Sequence, residues 1–138
     1  MTDREQVHVP NCFGCSQNNP LGLKLNFTVE NDHITVKFTS NQYHMGPPGV
    51  VHGGIITAII DESFSMLVRS LLKQDVRTIK EEFIFRKPAK IGEEIHVETR
   101  LKEEKSRVII AEAQVYSNKN LIAQAQGTLF KIKQADTR

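Results

Sequence analysis

One stretch of this chain keeps a helical period while almost everything around it keeps a strand period, and that contrast limits the fold more than any other feature. From Gly53 to about Leu72 the apolar residues Ile55, Ile56, Ile59, Ile60, Met66, Leu67 and Leu71 recur at intervals of three and four. The spacing predicts one long helix, roughly 30 Å at 1.5 Å per residue. Before it, Gly22–Val29 and His33–Thr39 alternate apolar and polar positions around Asn31-Asp32, the pattern of a hairpin. Ser40–Gly49 holds two prolines and two glycines and reads as a loop without regular structure. After the helix, period two returns in Thr78–Arg86, Ile95–Lys102, Arg107–Tyr116 and Leu121–Lys131.

In the last two of these segments Ala111, Ala113, Ala123, Ala125 and Gly127 fall on alternate positions, and side chains so small let another backbone lie close to a sheet. A long helix needs such a bed. The order β-β-α-β-β-β-β therefore predicts an α+β fold, one antiparallel sheet of about six strands wrapped around one long helix. No repeat or low-complexity tract interrupts the order, so a single domain over 1–138 is expected, with 1–19 as an N-terminal loop segment and 134–138 as a flexible tail.

At 138 residues, 39% hydrophobic and 25% charged, the chain can bury a core without staples. A net charge of +2, with basic residues scattered among acidic ones, gives no nucleic-acid footprint. The opening MTDREQVHVP lacks the basic start and apolar run of a secretion signal. Asp61, Glu62 and Arg69 interrupt Ile55–Leu72, so that stretch does not read as a membrane span. A cytoplasmic protein without nucleic-acid or membrane partners is expected. Cys12 and Cys15 form a single CxxC in a Gly-, Asn- and Pro-rich stretch. A structural zinc needs four ligands, and only His8 stands nearby. Two buried or partly buried loop thiols, and no metal, are the expectation.

GVVHGGIITAIIDE, Gly49 to Glu62, departs from local rules. Two consecutive glycines cost a helix about 1 kcal/mol each inside it, so close approach to a ligand is a better reason for them. At a helix N-terminus the first amides lack partners and carry the positive end of the dipole, which suits an anion or a developing oxyanion. Asp61, two turns on, is expected to be half-buried or to face a cleft, where desolvation would raise its pKa. The alternative is that Asp61 and Glu62 are the solvent edge of an amphipathic helix, and periodicity leaves both readings open. His52 could equally be a cap or a packing residue.

HGG followed by an apolar run and an acid nine positions after the histidine resembles the signature of hotdog-fold thioesterases of the PaaI and 4-hydroxybenzoyl-CoA type. TIKEEFIFRKP, Thr78 to Pro88, resembles that family's third strand with its closing basic-Pro turn. CFGCSQNNPLGLKLNF resembles an N-terminal variant found in some members. The resemblance covers most of the chain. It implies the hotdog fold, a homo-oligomer of two or four subunits, an acyl-CoA substrate and no cofactor. Asp61 would then be the general base or the nucleophile, Gly53 the backbone donor to the thioester oxygen, His52 the residue fixing the helix start, and Thr78 a holder of the attacking water. Val51 and Gly54 would flank the substrate, and Arg86 and Lys87 beside Pro88 would meet the CoA phosphates. The resemblance also implies a composite site, with the oxyanion donor from one subunit and the acid from its neighbour. YHMGPPG lacks the Asn or Gln that relatives often carry before HGG, which leaves a second oxyanion donor unassigned.

Two rivals stand beside hydrolysis. A hydratase or dehydratase of acyl thioesters would place its His and acid differently, and a non-catalytic acyl-CoA sensor would have no use for a carboxylate buried beside a neutral thioester.

Overall fold

The computed structural model describes residues 9–132. Its regular elements are β1 (Phe27–Val29), β2 (His33–Thr39), a 3-10 turn (Gln42–His44), α1 (Gly53–Leu72), β3 (Val76–Phe85), β4 (Glu94–Lys105), β5 (Val108–Ser117) and β6 (Asn120–Lys131). All pairings are antiparallel, and the six strands run β1-β2-β4-β5-β6-β3 across one sheet. The sheet curls around α1, which is the hotdog arrangement.

The alternation of the chain decides what the helix touches. Ala111, Ala113, Ala123 and Ala125 are all buried, and in register they pair as Ala111 with Gly127 and Ala113 with Ala125. A Cβ on Gly127 would stand 2.6 Å from the ring of Phe64, a wholly buried residue of α1. The expected bed of small side chains is therefore real, and its one glycine is where the largest helix side chain lands. Ile59, Ile60, Met66, Leu67 and Val68 complete the helix side of the core, facing Ile34, Val97, Val115 and Leu129 of the sheet. The helix ends without a glycine. Lys73 takes the left-handed conformation at φ 53° instead, and Gln74 Nε2 donates to the Ile132 carbonyl at 2.8 Å.

Two expectations need correction. Gly22–Val29 does not form one strand, although Leu23, Leu25, Phe27 and Val29 are buried alternately as predicted. Lys24 sits at φ 52°, and the Leu23 and Leu25 amides donate to the carbonyls of Phe13 and Gly14 at 2.7 and 2.8 Å. The backbone of 22–25 thus holds the N-terminal loop, and the sheet begins at Phe27. Nor is Ser40–Gly49 wholly irregular. Asn41 Oδ1 accepts from the Tyr43 amide at 2.9 Å and His44 Nδ1 accepts from the Asn41 amide at 2.9 Å, closing a short capped turn. The remaining strands match the reading to within about three residues at either end. No described helix is long and apolar enough to cross a membrane.

Candidate active site

The start of α1 is fixed from three directions. His52 is its N-cap, with extended backbone at φ −60°, ψ 133°, and Nδ1 of its ring accepts the Gly54 amide at 2.8 Å. Because Nδ1 accepts, the proton of the neutral ring lies on Nε2. The His52 amide donates to the His44 carbonyl at 2.8 Å, and the Val51 amide to the Ala89 carbonyl at 2.8 Å. Burial lowers the pKa of His44, which favours the neutral ring that accepts from the Asn41 amide. Val51 itself lies buried in the core.

The two glycines have different reasons. A Cβ on Gly54 would lie 2.9 Å from His52 Nδ1, so the cap itself excludes a side chain there. A Cβ on Gly53 would meet only the Phe85 ring, at an ordinary 3.7 Å. The Gly53 amide, moreover, has no acceptor among the described residues, whereas Gly54 donates to His52 and Ile55 to the His52 carbonyl. One bare amide at the positive end of the helix is therefore left for an incoming oxygen.

Within α1 only Gly54 and Asp61 are exposed, seven positions apart and hence on one face. Thr57, Ala58, Glu62, Ser65, Arg69 and Leu72 are partly exposed at three- and four-residue spacing, so Asp61 lies on the more open face of the helix. Asp61, expected to be half-buried or to face a cleft, is open within one chain and lies beside β3. Thr78 Oγ1 donates to Asp61 Oδ1 at 3.2 Å, so these two expected residues meet.

Glu81 joins them, and the sequence reading missed it. The register of β3 against β6 shifts between Thr78 and Lys80, which makes Ile79 the extra residue of a bulge. Thr78 pairs with Leu129, Glu81 with Gly127, Phe83 with Ala125 and Phe85 with Ala123. All four partners face the helix, so the bulge is what turns Glu81 inward. Glu81 Oε2 is buried with no partner. Burial first, then a hydrogen bond with Asp61 and its charge, pushes the Glu81 carboxyl up to about 8. At neutral pH this shift favours the protonated form of Glu81 beside Asp61.

Beyond Glu81, the Phe83 and Phe85 rings stack at 6.4 Å between centroids, and Phe85 reaches Gly53. Arg86, Lys87 and Pro88 follow directly and are exposed. Arg86 Nε donates to Gln124 Oε1 at 2.8 Å, and the Arg86 and Lys87 amides both donate to the Ile122 carbonyl. The basic turn is thus held next to the helix start. A concavity of about 490 Å³ lined by Glu94, His96, Glu98, Tyr116, Asn118 and Lys119 lies on the outer sheet face, away from Asp61.

The cysteine pair differs from its expected environment. His8 lies outside the described residues, but Glu62 arrives from α1. Ligand-capable atoms of Cys12, Cys15 and Glu62 all lie within 4.8 Å of one another, and Cys12 Sγ donates to Glu62 Oε1 at 3.3 Å. Neither cysteine is in a disulfide, and burial pushes the Cys15 thiol up to about 12. Neither residue approaches Thr78 or Glu81 in any described contact.

Comparison with known proteins agrees with this architecture. The profile of the thioesterase superfamily matches residues 48–123. A Saccharolobus solfataricus protein provisionally named an esterase is 33% identical over 102 residues, 72% of this chain and 67% of that one. Among solved structures, a Streptococcus mutans protein bound to acetyl CoA superposes with a TM-score of 0.74 at 20% identity, covering 78% of this chain and 88% of that one. A hypothetical thioesterase with coenzyme A from Streptococcus pneumoniae gives 0.75 at 16% identity, over 81% and 91%. The Escherichia coli PaaI protein of the phenylacetic acid degradation operon gives 0.75 at 13% identity, over 80% and 81%. At such identities the structures speak for the fold, while the profile spans more than half of the 138 residues and includes the HGG turn, Asp61 and β3. On these matches, the chain belongs to the thioesterase superfamily.

Proposed function

We propose that this protein hydrolyses acyl-CoA thioesters at a site shared by two copies of the chain. The observation that carries this reading is the pairing of one exposed carboxylate, Asp61, with one unpartnered amide, Gly53, on the same helix. Eight residues apart, they are separated by about 12 Å along the axis, too far to act on one carbonyl group. A second copy removes the difficulty. β3 is the last strand of the sheet, and its outer edge carries Ile79, Ile84 and Phe85, each at least half exposed. An apolar unpaired edge of ten residues invites another strand, and an antiparallel copy laid against it would carry its own helix start toward Asp61.

In that arrangement the Gly53 amide of one chain polarises the thioester oxygen, and Asp61 of the other takes a proton from water. The hydroxyl of Thr78 and the acid of Glu81, both on Asp61, keep the carboxylate oriented. Hydroxide adds to the carbonyl carbon, the C–S bond breaks, and the proton held by Asp61 returns to the departing CoA thiolate, giving acid and free thiol. Phe83 and Phe85 offer an apolar wall to the acyl group, and Arg86 and Lys87 offer charge to the CoA phosphates.

Asp61→Asn keeps the shape of the site and removes its base, so turnover of a panel of acyl-CoAs should fall by about 10²-fold or more with oligomer state unchanged. Free thiol release measures it. Undiminished turnover would take Asp61 out of its role, and tight acyl-CoA binding by wild type with no thiol released from any substrate would favour a sensor.

A further inference from the structure

The N-terminal loop is zipped onto the body of the protein by backbone hydrogen bonds that the sheet does not use. The Leu23 and Leu25 amides hold Phe13 and Gly14, and the Ser16 amide donates to the Cys12 carbonyl at 3.1 Å, turning the chain so that both cysteine side chains face the same way. Gly14 lies so close to α1 that a Cβ there would stand 2.6 Å from Glu62 Oε1. Cys15 is wholly buried and Cys12 partly so. Into this sealed corner points Glu62, one oxygen meeting the Cys12 thiol and the other, Oε2, buried with no partner.

A buried carboxylate oxygen without a donor costs free energy, and the one weak thiol donor at the other oxygen does little to offset it. A cation would. Two sulfurs and a carboxylate oxygen within 4.8 Å of one another need to draw in by up to about 1 Å to reach the ligand edges of a tetrahedral zinc, roughly 3.5–3.8 Å from Zn–S of about 2.3 Å and Zn–O of about 2.0–2.2 Å. Two thiolates in a C-x-x-C turn select a soft or borderline ion, which excludes magnesium and calcium and favours zinc. We propose that Cys12, Cys15 and Glu62 bind one zinc ion, with water in the fourth position, and that this ion clamps the N-terminal loop to the helix beside Asp61. Binding displaces one proton from each thiol, and the metal changes no oxidation state. The site is independent of the thioesterase reading, because none of its donors touches substrate there.

The test uses the full chain purified under reducing conditions without chelator from zinc-supplemented cells. Elemental analysis should find about one zinc per chain. After its removal, Co²⁺ should give thiolate-to-cobalt charge-transfer absorption that saturates at one equivalent and is displaced by Zn²⁺. Cys12→Ser should abolish that absorption. Glu62→Gln should weaken zinc binding by at least about tenfold, while Asp61→Asn should leave zinc content unchanged. Metal-free protein whose reduced form gives no cobalt–thiolate band would overturn the site, as would Glu62→Gln binding zinc as tightly as wild type. Because the wild-type measurements stand alone, a variant that fails to fold does not rescue the idea.

Discussion

Gly53 is the residue at which a single atom can be removed cleanly. It is the first residue of α1, where the amide has no helical partner and where proline is well tolerated. The residue before it, His52, already has the extended backbone that proline demands of its predecessor. Gly53→Pro should therefore fold with an unchanged melting temperature and lose about 10²–10³ in kcat, the cost of one oxyanion donor. Glu81 offers a second test. Its folded-state pKa of about 8 lies above its ordinary 4.5, so the native state keeps a proton that the unfolded chain has released between those values. Stability from this group is complete below about pH 4.5 and is lost as pH rises toward 8. Among the described residues the charged group facing it from α1 is Asp61, and β6 presents Gly127 opposite, so nothing basic reverses the sign. Glu81→Gln cannot ionise. In urea titrations it should gain on wild type from pH 5 to pH 8, and parallel pH slopes would deny the raised pKa.

At the scale of elements, what the sequence disclosed and what it hid divide along a physical line. Alternation told which side chains are buried, and it did so even at Leu23 and Leu25, but it could not tell which chain accepts their backbone hydrogen bonds. That information lies in Lys24's positive φ, which no pattern of apolar residues encodes. The bulge at Ile79 was hidden for a similar reason. Lys80-Glu81-Glu82 reads as a run of solvated charge, and only the register against β6 reveals that its middle member faces the helix. Asp61, Thr78 and the HGG turn were legible because they lie within recognisable local stretches. Glu62's meeting with Cys12, fifty positions apart, was not. The small-residue bed gives the clearest prediction here. Gly127→Ala would drive a methyl into the Phe64 ring and should cost about 1–3 kcal/mol, read as a lowered melting temperature. An unchanged melt would mean that the helix sits further from β6.

For the whole molecule, the proposed function requires two chains, because Gly53 and Asp61 lie too far apart along one helix to act on one carbonyl group. Gly53 opens the helix and Asp61 follows two turns later at an exposed position, and the distance between them is fixed by helical geometry. The apolar rim of β3 beside Asp61 is what a second chain would cover. Co-expression of Asp61→Asn and Gly53→Pro chains carrying different tags tests this directly, since each variant alone lacks one half of every site. In a mixed dimer, one of the two sites combines the intact Gly53 of one chain with the intact Asp61 of the other. Purified heterodimers should then regain about half of the wild-type turnover. Heterodimers as inactive as either parent would contradict a site built from two chains.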